Sequence, residues 1–433
     1  MSFTRRALSL LIVIALVLGA TSVMVTAQEG DPIVIGASLP LTGTFSIAGS
    51  KHEEGYQLCV DEINARGGLL GRPVELIVSD NRSDVEQSIT QYERLINEDN
   101  VDLIFGTFSS RLTFPTSAVA EQNEMVLPVP AGGAINIYAQ GFEYLFYFQQ
   151  NAGEFVGASP IEALVELVGT DSEDFPQTAA VVHADDFFAN AIAAGLLGQE
   201  VLDDDGSLII DLAPGALEEA GIEAVMVETW PGEGFNDWVN LANEIRQSEA
   251  EMLIGLTASP DEVIQLTRAL QTVGYQPKVA YFSQGTQIEY LEGVGEAVNG
   301  VLVHSSWHPL ADFEGILIDQ PFTNSEFVEL YTEEYDVEPD EDVAIPFSLC
   351  MGITQAVHAV GSTDNAELRD WLAARTEEEP VRTILGEFYW DERGLPIGRS
   401  FLILQWQDEE LRFIYPVGEF PGTVDIIHPK PEW

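Results

Sequence analysis

Ile33-Val34-Ile35-Gly36-Ala37-Ser38-Leu39 runs directly into Pro40-Leu41-Thr42-Gly43, and an amphipathic stretch then continues to Gly67-Gly68. A short, continuously apolar run closed by a Pro/Gly turn reads as a strand buried on both faces. Beyond the turn, Ser50 and Glu53 have capping-box spacing, and Tyr56, Cys59, Val60 and Ile63 fall at i, i+3, i+4 and i+7. That is a helix with Cys59 on its buried face, ended by the glycine pair. The unit repeats as a strand at Val74 to Ser79, a helix opening near Ser83 with Val85, Ile89, Tyr92 and Ile96 inward, and a strand at Val101 to Gly106. Apolar strands separated by helices long enough to act as crossovers predict an α/β fold with a parallel sheet covered on both faces.

The second half follows the same grammar. Strands are predicted at Ala179 to His183, Ala224 to Glu228, Met252 to Thr257, Val279 to Ser283 and Val301 to Ser305, with helices near 153–168, 187–200, 235–247 and 261–273. A helix ending around Tyr335, an acidic stretch from Glu333 to Asp342 and a long helix from Ala344 to Val360 complete the pattern. No low-complexity linker divides the 433 residues, which are too many for a single core. Two Rossmann-like lobes joined by ordered crossings, with a ligand cleft between them, are expected.

The N-terminus carries Arg5-Arg6, an apolar run from Ala7 to Ala20, and small residues at Val25-Thr26-Ala27. This predicts a signal peptide over 1–27 and an exported, soluble mature protein, periplasmic or extracellular; the apolar run is short for a membrane anchor. The arginine pair leaves the general and twin-arginine routes open. Against 18 Lys plus Arg stand 71 Asp plus Glu, a formal net charge of -53. Cleavage after Ala27 removes two arginines and no acids, so the mature charge is 16 minus 71, or -55. Such a surface repels nucleic acid and anionic lipid. Its acids are spread along the chain, as in a strongly solvated surface suited to a saline medium.

Chemistry-bearing motifs are sparse. The chain has no Gly-x-Ser-x-Gly, no Walker sequence and no Gly-x-Gly-x-x-Gly after a strand, which argues against a serine hydrolase and a nucleotide site and leaves catalytic residues unassigned. His304 and His308 are four apart, but a metal needs a third ligand, and His52, His183, His358 and His428 show no matching spacing; no metal and no cofactor are predicted, and these imidazoles are placed at the surface or cleft edge. Gly106-Thr107-Phe108-Ser109-Ser110-Arg111 and Ala131-Gly132-Gly133-Ala134 each follow a predicted strand. The first offers hydroxyls and free N–H groups and the second a bare backbone, both suited to a carboxylate or carbonyl ligand at the strands' carboxyl ends.

The chain resembles the type I periplasmic binding proteins of the leucine/isoleucine/valine receptor kind. The resemblance spans almost the whole mature chain. It is carried by Ile35 to Gly43, by Val60-Asp61-Glu62-Ile63-Asn64-Ala65-Arg66-Gly67-Gly68-Leu69-Leu70-Gly71-Arg72-Pro73-Val74-Glu75-Leu76, by the Gly106 to Ser110 turn, by Gly141 to Phe146, and by Tyr389-Trp390-Asp391-Glu392-Arg393-Gly394 with Leu404-Gln405-Trp406. It implies hinge crossings near 148–153, 302–308 and 390–398, an N-terminal lobe of 28–150 plus 306–392, and a C-terminal lobe of 151–305 plus 393–433. It implies a monomeric receptor that captures an amino acid or related carboxylate or amide and presents it to an ABC permease. A sensory receptor for amides or aromatic acids is the alternative, and a secreted hydrolase a more distant one.

By the same resemblance, Ser110, next to Ser109, and the Ala131, Gly132 and Gly133 backbone would hold a ligand carboxylate, and Phe188 would cover the ligand. Thr257 and Trp307 would also line the site. Gln284 stands where amino-acid receptors often carry the Glu that pairs with the ligand ammonium, so Asp185, Asp186 or another acid would have to compensate. Cys59 and Cys350 would lie in helices of one lobe, either bridged or as two unpaired core thiols.

Overall fold

The computed structural model describes residues 30–203 and 205–433; the predicted signal peptide lies outside them. In the first lobe, Ile33–Leu39 is the middle strand of a parallel sheet, flanked by Val74–Asp80 and Leu103–Phe105. Leu127–Val129 and Leu145–Tyr147 form a second parallel pair, tied to the first sheet where the Gly106 N–H donates to the Pro128 carbonyl at 3.1 Å. In the second lobe, seven strands run in the order Glu410–Tyr415, Leu402–Gln407, Val301–Ser305, Val279–Phe282, Met252–Leu256, Thr178–Asp185, Glu223–Pro231. The last five are mutually parallel, and Leu402–Gln407 and Glu410–Tyr415 add an antiparallel hairpin at one edge.

Each lobe has its own core. Residues from Ile33 to Phe148 and from Trp307 to Trp390 share one buried cluster; residues from Val156 to Val303 and from Phe401 to Phe420 share the other. The chain therefore passes between cores three times, after Phe148, after Val303 and after Trp390.

The first helix spans Ser46–Ala65, beginning four residues before the Ser50 expected from the capping box. The Gly43 carbonyl accepts the Ser46 N–H at 3.2 Å, so the turn itself starts the helix and Ser50 and Glu53 lie inside it. In the next helix, Val85–Asn97, Asp84 caps the start, and Ser88, Tyr92 and Leu95 are its buried face. Val85, Ile89 and Ile96, expected inward, are only partly covered.

The long helix is Glu341–Val360, with Asp340 accepting the Asp342 N–H at 3.1 Å. The sequence reading starts this helix at Ala344, after the acidic stretch; Glu341 and Asp342 instead belong to its first turn, where the helix dipole favours negative charge. This helix is long and apolar enough to cross a membrane, yet it is largely buried in the lobe. It packs against Ser46–Ala65 so closely that a Cβ at Gly55 would stand 2.4 Å from the Val343 carbonyl oxygen. At the same contact Cys59 and Cys350 form a disulfide, with Cα atoms 6.4 Å apart.

Candidate functional site

A cavity lies where both lobes meet. The first lobe contributes Phe108, Ser109, Ser110, Ala131, Gly132, Tyr147, Gln149, Glu341, Asp342 and Ile345; the second contributes Phe188, Ala258, Gln284 and His304. The cavity volume is only about 40 Å3, so the two walls nearly touch. A wider groove of about 540 Å3 opens outside it between Arg111, Phe114, Asp186, Phe187 and Glu233. That groove is solvent-facing, and the inner cavity holds the convergent polar groups, so the inner cavity is the candidate site.

Contacts across the gap hold the lobes together. Arg111 pairs with Glu233, the Ser259 hydroxyl donates to the Thr44 carbonyl at 3.2 Å, and the Phe114 and Phe187 rings stack 5.3 Å apart. Lys51 bonds Asp340 at 2.6 Å on its own lobe and reaches Glu289 of the other lobe at 3.5 Å. Burial works against its ammonium, but those carboxylates outweigh it and raise its pKa.

One wall is built by the Ser110–Gln122 helix. Ser109 precedes it with φ 76°, a left-handed backbone that a non-glycine residue adopts at a cost. The Ser110 hydroxyl accepts the Ala134 N–H at 3.2 Å and keeps its own proton free to donate, beside a helix start whose first N–H groups have no intrahelical acceptor. The Ser109 hydroxyl is buried without any partner. The Ala131 and Gly132 carbonyls already accept the Thr113 and Tyr138 hydroxyls at 3.1 and 2.8 Å. Gly132 is required for packing, since a Cβ would meet Thr113 and Val129 side-chain carbons at 2.9 Å.

Six of the nine residues expected at the site, Ser109, Ser110, Ala131, Gly132, Phe188 and Gln284, line this cavity. Gly133 does not; its carbonyl accepts the Gly153 N–H at 2.7 Å, next to the first crossing. Thr257 turns away, giving its hydroxyl to Glu262, and its neighbour Ala258 takes the lining position. Trp307 is a core residue: its Nε1–H donates to Asn324 at 2.6 Å and its ring packs edge-on to Phe327.

His304 is not at the surface. It is buried, its Nδ1 meets the Tyr281 hydroxyl at 2.9 Å, and burial pushes its pKa down to about 3, keeping the imidazole neutral. His308 is buried too, its Nδ1 accepting the Leu310 N–H at 3.1 Å, so the two imidazoles serve different neighbours.

The acids at the site were missed. Glu341 accepts the Thr286 hydroxyl of the second lobe at 3.0 Å and the Ser306 N–H, at the second crossing, at 2.8 Å, and Asp342 accepts the Gln287 amide at 2.7 Å. Burial pushes the Glu341 carboxyl up to about 7 and, helped by the Asp340 and Glu341 charges, lifts Asp342 well above the carboxylate range. Their available signal was an Asp-Glu-Asp run directly before an apolar helix, the pattern of a helix start.

Two α/β lobes closing on a small polar cavity define a bilobal binding protein of the type I periplasmic class. The family model described as periplasmic binding protein matches residues 32–410, and the chain belongs to that family. A Leu/Ile/Val-binding protein homolog 7 of Brucella suis is 26% identical over 402 residues, covering 90% of this chain and 93% of the relative. The crystal structure of a leucine binding protein from Thermotoga maritima superposes with a TM-score of 0.70 at 21% identity, over 88% of this chain and 97% of that one. A solute binding protein of an ABC transporter from R. palustris, in complex with benzoate, gives 0.73 at 16% identity, over 93% and 98%. At such identities the solved structures speak for the fold.

Proposed function

We propose that the chain is the extracytoplasmic receptor of an ABC importer, binding one small amino acid, or a related carboxylate or amide, between its lobes. It acts as a monomer, exported by its N-terminal signal and soluble after cleavage, and delivers the closed complex to a membrane permease. Binding, not turnover, is its task. The observation that carries this reading is the cavity shared by both lobes, with Ser109, Ser110 and a helix start on one side and Phe188, Ala258 and Gln284 on the other. In this reading the Ser110 corner takes the ligand carboxylate and Phe188 covers the apolar body. The wall-to-wall fit supports capture by closure, since binding free energy is gained only when both lobes touch the guest.

A thermal-melt screen of the mature protein against amino acids, amides and organic acids tests it. At least one class is expected to raise the melting temperature in proportion to the logarithm of its concentration. For that ligand, Ser110→Ala is expected to lose about 1.5–3 kcal/mol of affinity, the worth of a hydrogen bond to a charged group. No shift with any class contradicts the reading.

A further inference from the structure

A separate cavity of about 310 Å3 lies on the flank of the first crossing and shares no lining residue with the interlobe site. Asn136 of the first lobe forms part of one wall, and Glu154, just past the crossing, forms part of another. The Phe187–Leu197 helix contributes Phe187 and the small Ala191 and Ala194, which leave the space open. An antiparallel hairpin, Glu200–Leu202 with Leu208–Asp211, closes one side and brings Glu200 to it. Val201, Ile209 and Ile210 of that hairpin pack on the cluster that holds Ile135 and Ile137, so this part of the second lobe is seated against the first.

The charges of the cavity are of one sign. Glu154 and Glu200 line it, and no Lys or Arg is among the described residues that do so. Glu154 is 3% exposed, and a single backbone N–H, from Ile135, is shared between its two oxygens at 3.1 Å each. A carboxylate offers about four acceptor positions, and enclosing one without a cation is costly. Burial accordingly pushes its pKa up to about 7. An independent observation points to an absent guest. The Asn136 Oδ1 is closed off from solvent and has no hydrogen-bond partner, although buried polar groups are nearly always satisfied. An acid short of donors and an amide oxygen with none ask for the same guest, one that brings N–H groups and a positive charge. Phe187, stacked on Phe114 at 5.3 Å, adds an aromatic wall of the kind that receives organic cations.

We infer that this cavity is a second binding site, for a small organic cation with N–H donors, an alkylammonium or a guanidinium, held by Glu154 and Asn136. A divalent metal ion is a poorer match, because it needs about six oxygen ligands or more, and no group of three metal-ligating side chains occurs among the described residues. A quaternary ammonium matches the charge but has no N–H to give. The inference goes beyond the receptor reading and does not rest on it, since this cation is not the guest of the interlobe cavity.

Titration calorimetry of the mature protein tests it, in about 0.5 M NaCl to screen the general attraction of an acidic surface for cations. The probes are propylammonium chloride and methylguanidinium chloride, with tetramethylammonium chloride and additional NaCl as controls. At least one N–H-bearing probe is expected to bind saturably, and at least about tenfold tighter than tetramethylammonium, the worth of a hydrogen bond to a charged group. Glu154→Gln is expected to weaken that binding at least about tenfold. Asn136→Leu, which removes the free acceptor and fills the space, is the second variant and should weaken it by a similar factor; both are checked for native melting behaviour. Undiminished binding in either folded variant places the cation elsewhere and overturns the inference. Heats no different from those of the two controls, or no saturable binding by either probe, overturn it as well. The receptor reading stands or falls separately, by its own screen.

Discussion

Arg111, on the first lobe, forms an ion pair with Glu233, on the second, directly outside the cavity. The pair bridges the two walls of the cleft mouth, so its strength enters the balance between open and closed forms. Arg111 is a quarter exposed and Glu233 more than half, and exposed pairs contribute about 0.2–1 kcal/mol. Arg111→Ala is expected to weaken ligand binding by roughly two- to fivefold in low salt. The difference should vanish above about 1 M salt, where screening acts within ~3 Å. Titration at two ionic strengths checks this.

Trp307 tests the division between core and site. Its indole N–H meets Asn324 Oδ1 at 2.6 Å, and the Asn324 amide in turn donates to the carbonyls of His308, Pro309 and Ala311. Trp307→Phe removes one buried donor from that knot. It is expected to cost about 1–3 kcal/mol of stability by chemical denaturation, with ligand affinity held within about twofold. A large loss of affinity with unchanged stability would return Trp307 to the binding surface.

Glu154 sits beside the first crossing, and its carboxylate accepts the Ile135 N–H at 3.1 Å through both oxygens. Burial pushes its pKa from 4.5 up to about 7. The folded state thus binds more protons than the unfolded state between these values, and this stabilising contribution is full below pH 4.5 and lost as pH rises through 7. At 1.36 kcal/mol per unit the loss is about 3 kcal/mol at most. Stability of the wild type relative to Glu154→Gln, followed from pH 4 to 8, is expected to fall by up to that amount.

The Cys59–Cys350 bridge closes a loop of 291 residues and joins the two helices on which the first lobe is built. Its removal releases a large unfolded-state entropy. Cys59→Ser with Cys350→Ser is expected to lower stability by about 2–4 kcal/mol, and mild reduction of the wild type should reproduce the loss. Equal stability of the oxidised and reduced protein would contradict this.

Much of this architecture is legible in residue order. Ile33–Leu39 is an apolar run because, as the middle strand, it is covered on both faces, whereas the edge strand Val74–Asp80 admits Glu75; Tyr56, Cys59, Val60 and Ile63 repeat at helical spacing because one face meets the core. Helix starts are less legible: Gly43 and Phe45 open the first helix without a side-chain cap, so a better-looking box at Ser50 misleads by four residues. The site divides in the same way. Ser110 and Gly132 stand out because they follow strands, whereas Glu341 and Asp342 reach the cavity from more than 200 residues away along a helix that returns to the first lobe. Among 71 acids the Asp-Glu-Asp run marks those two as a helix start and not as a site, and only the fold brings them to Ser109.

Calorimetric titration of the mature protein with its best-binding amino acid, followed by recovery and chemical identification of the titrant, bears most directly on the claim of capture without turnover. One equivalent should bind with a negative heat-capacity change, from apolar surface buried as the lobes meet, and be recovered intact. Absence of heat with every amino acid, or recovery of an altered molecule, would contradict it.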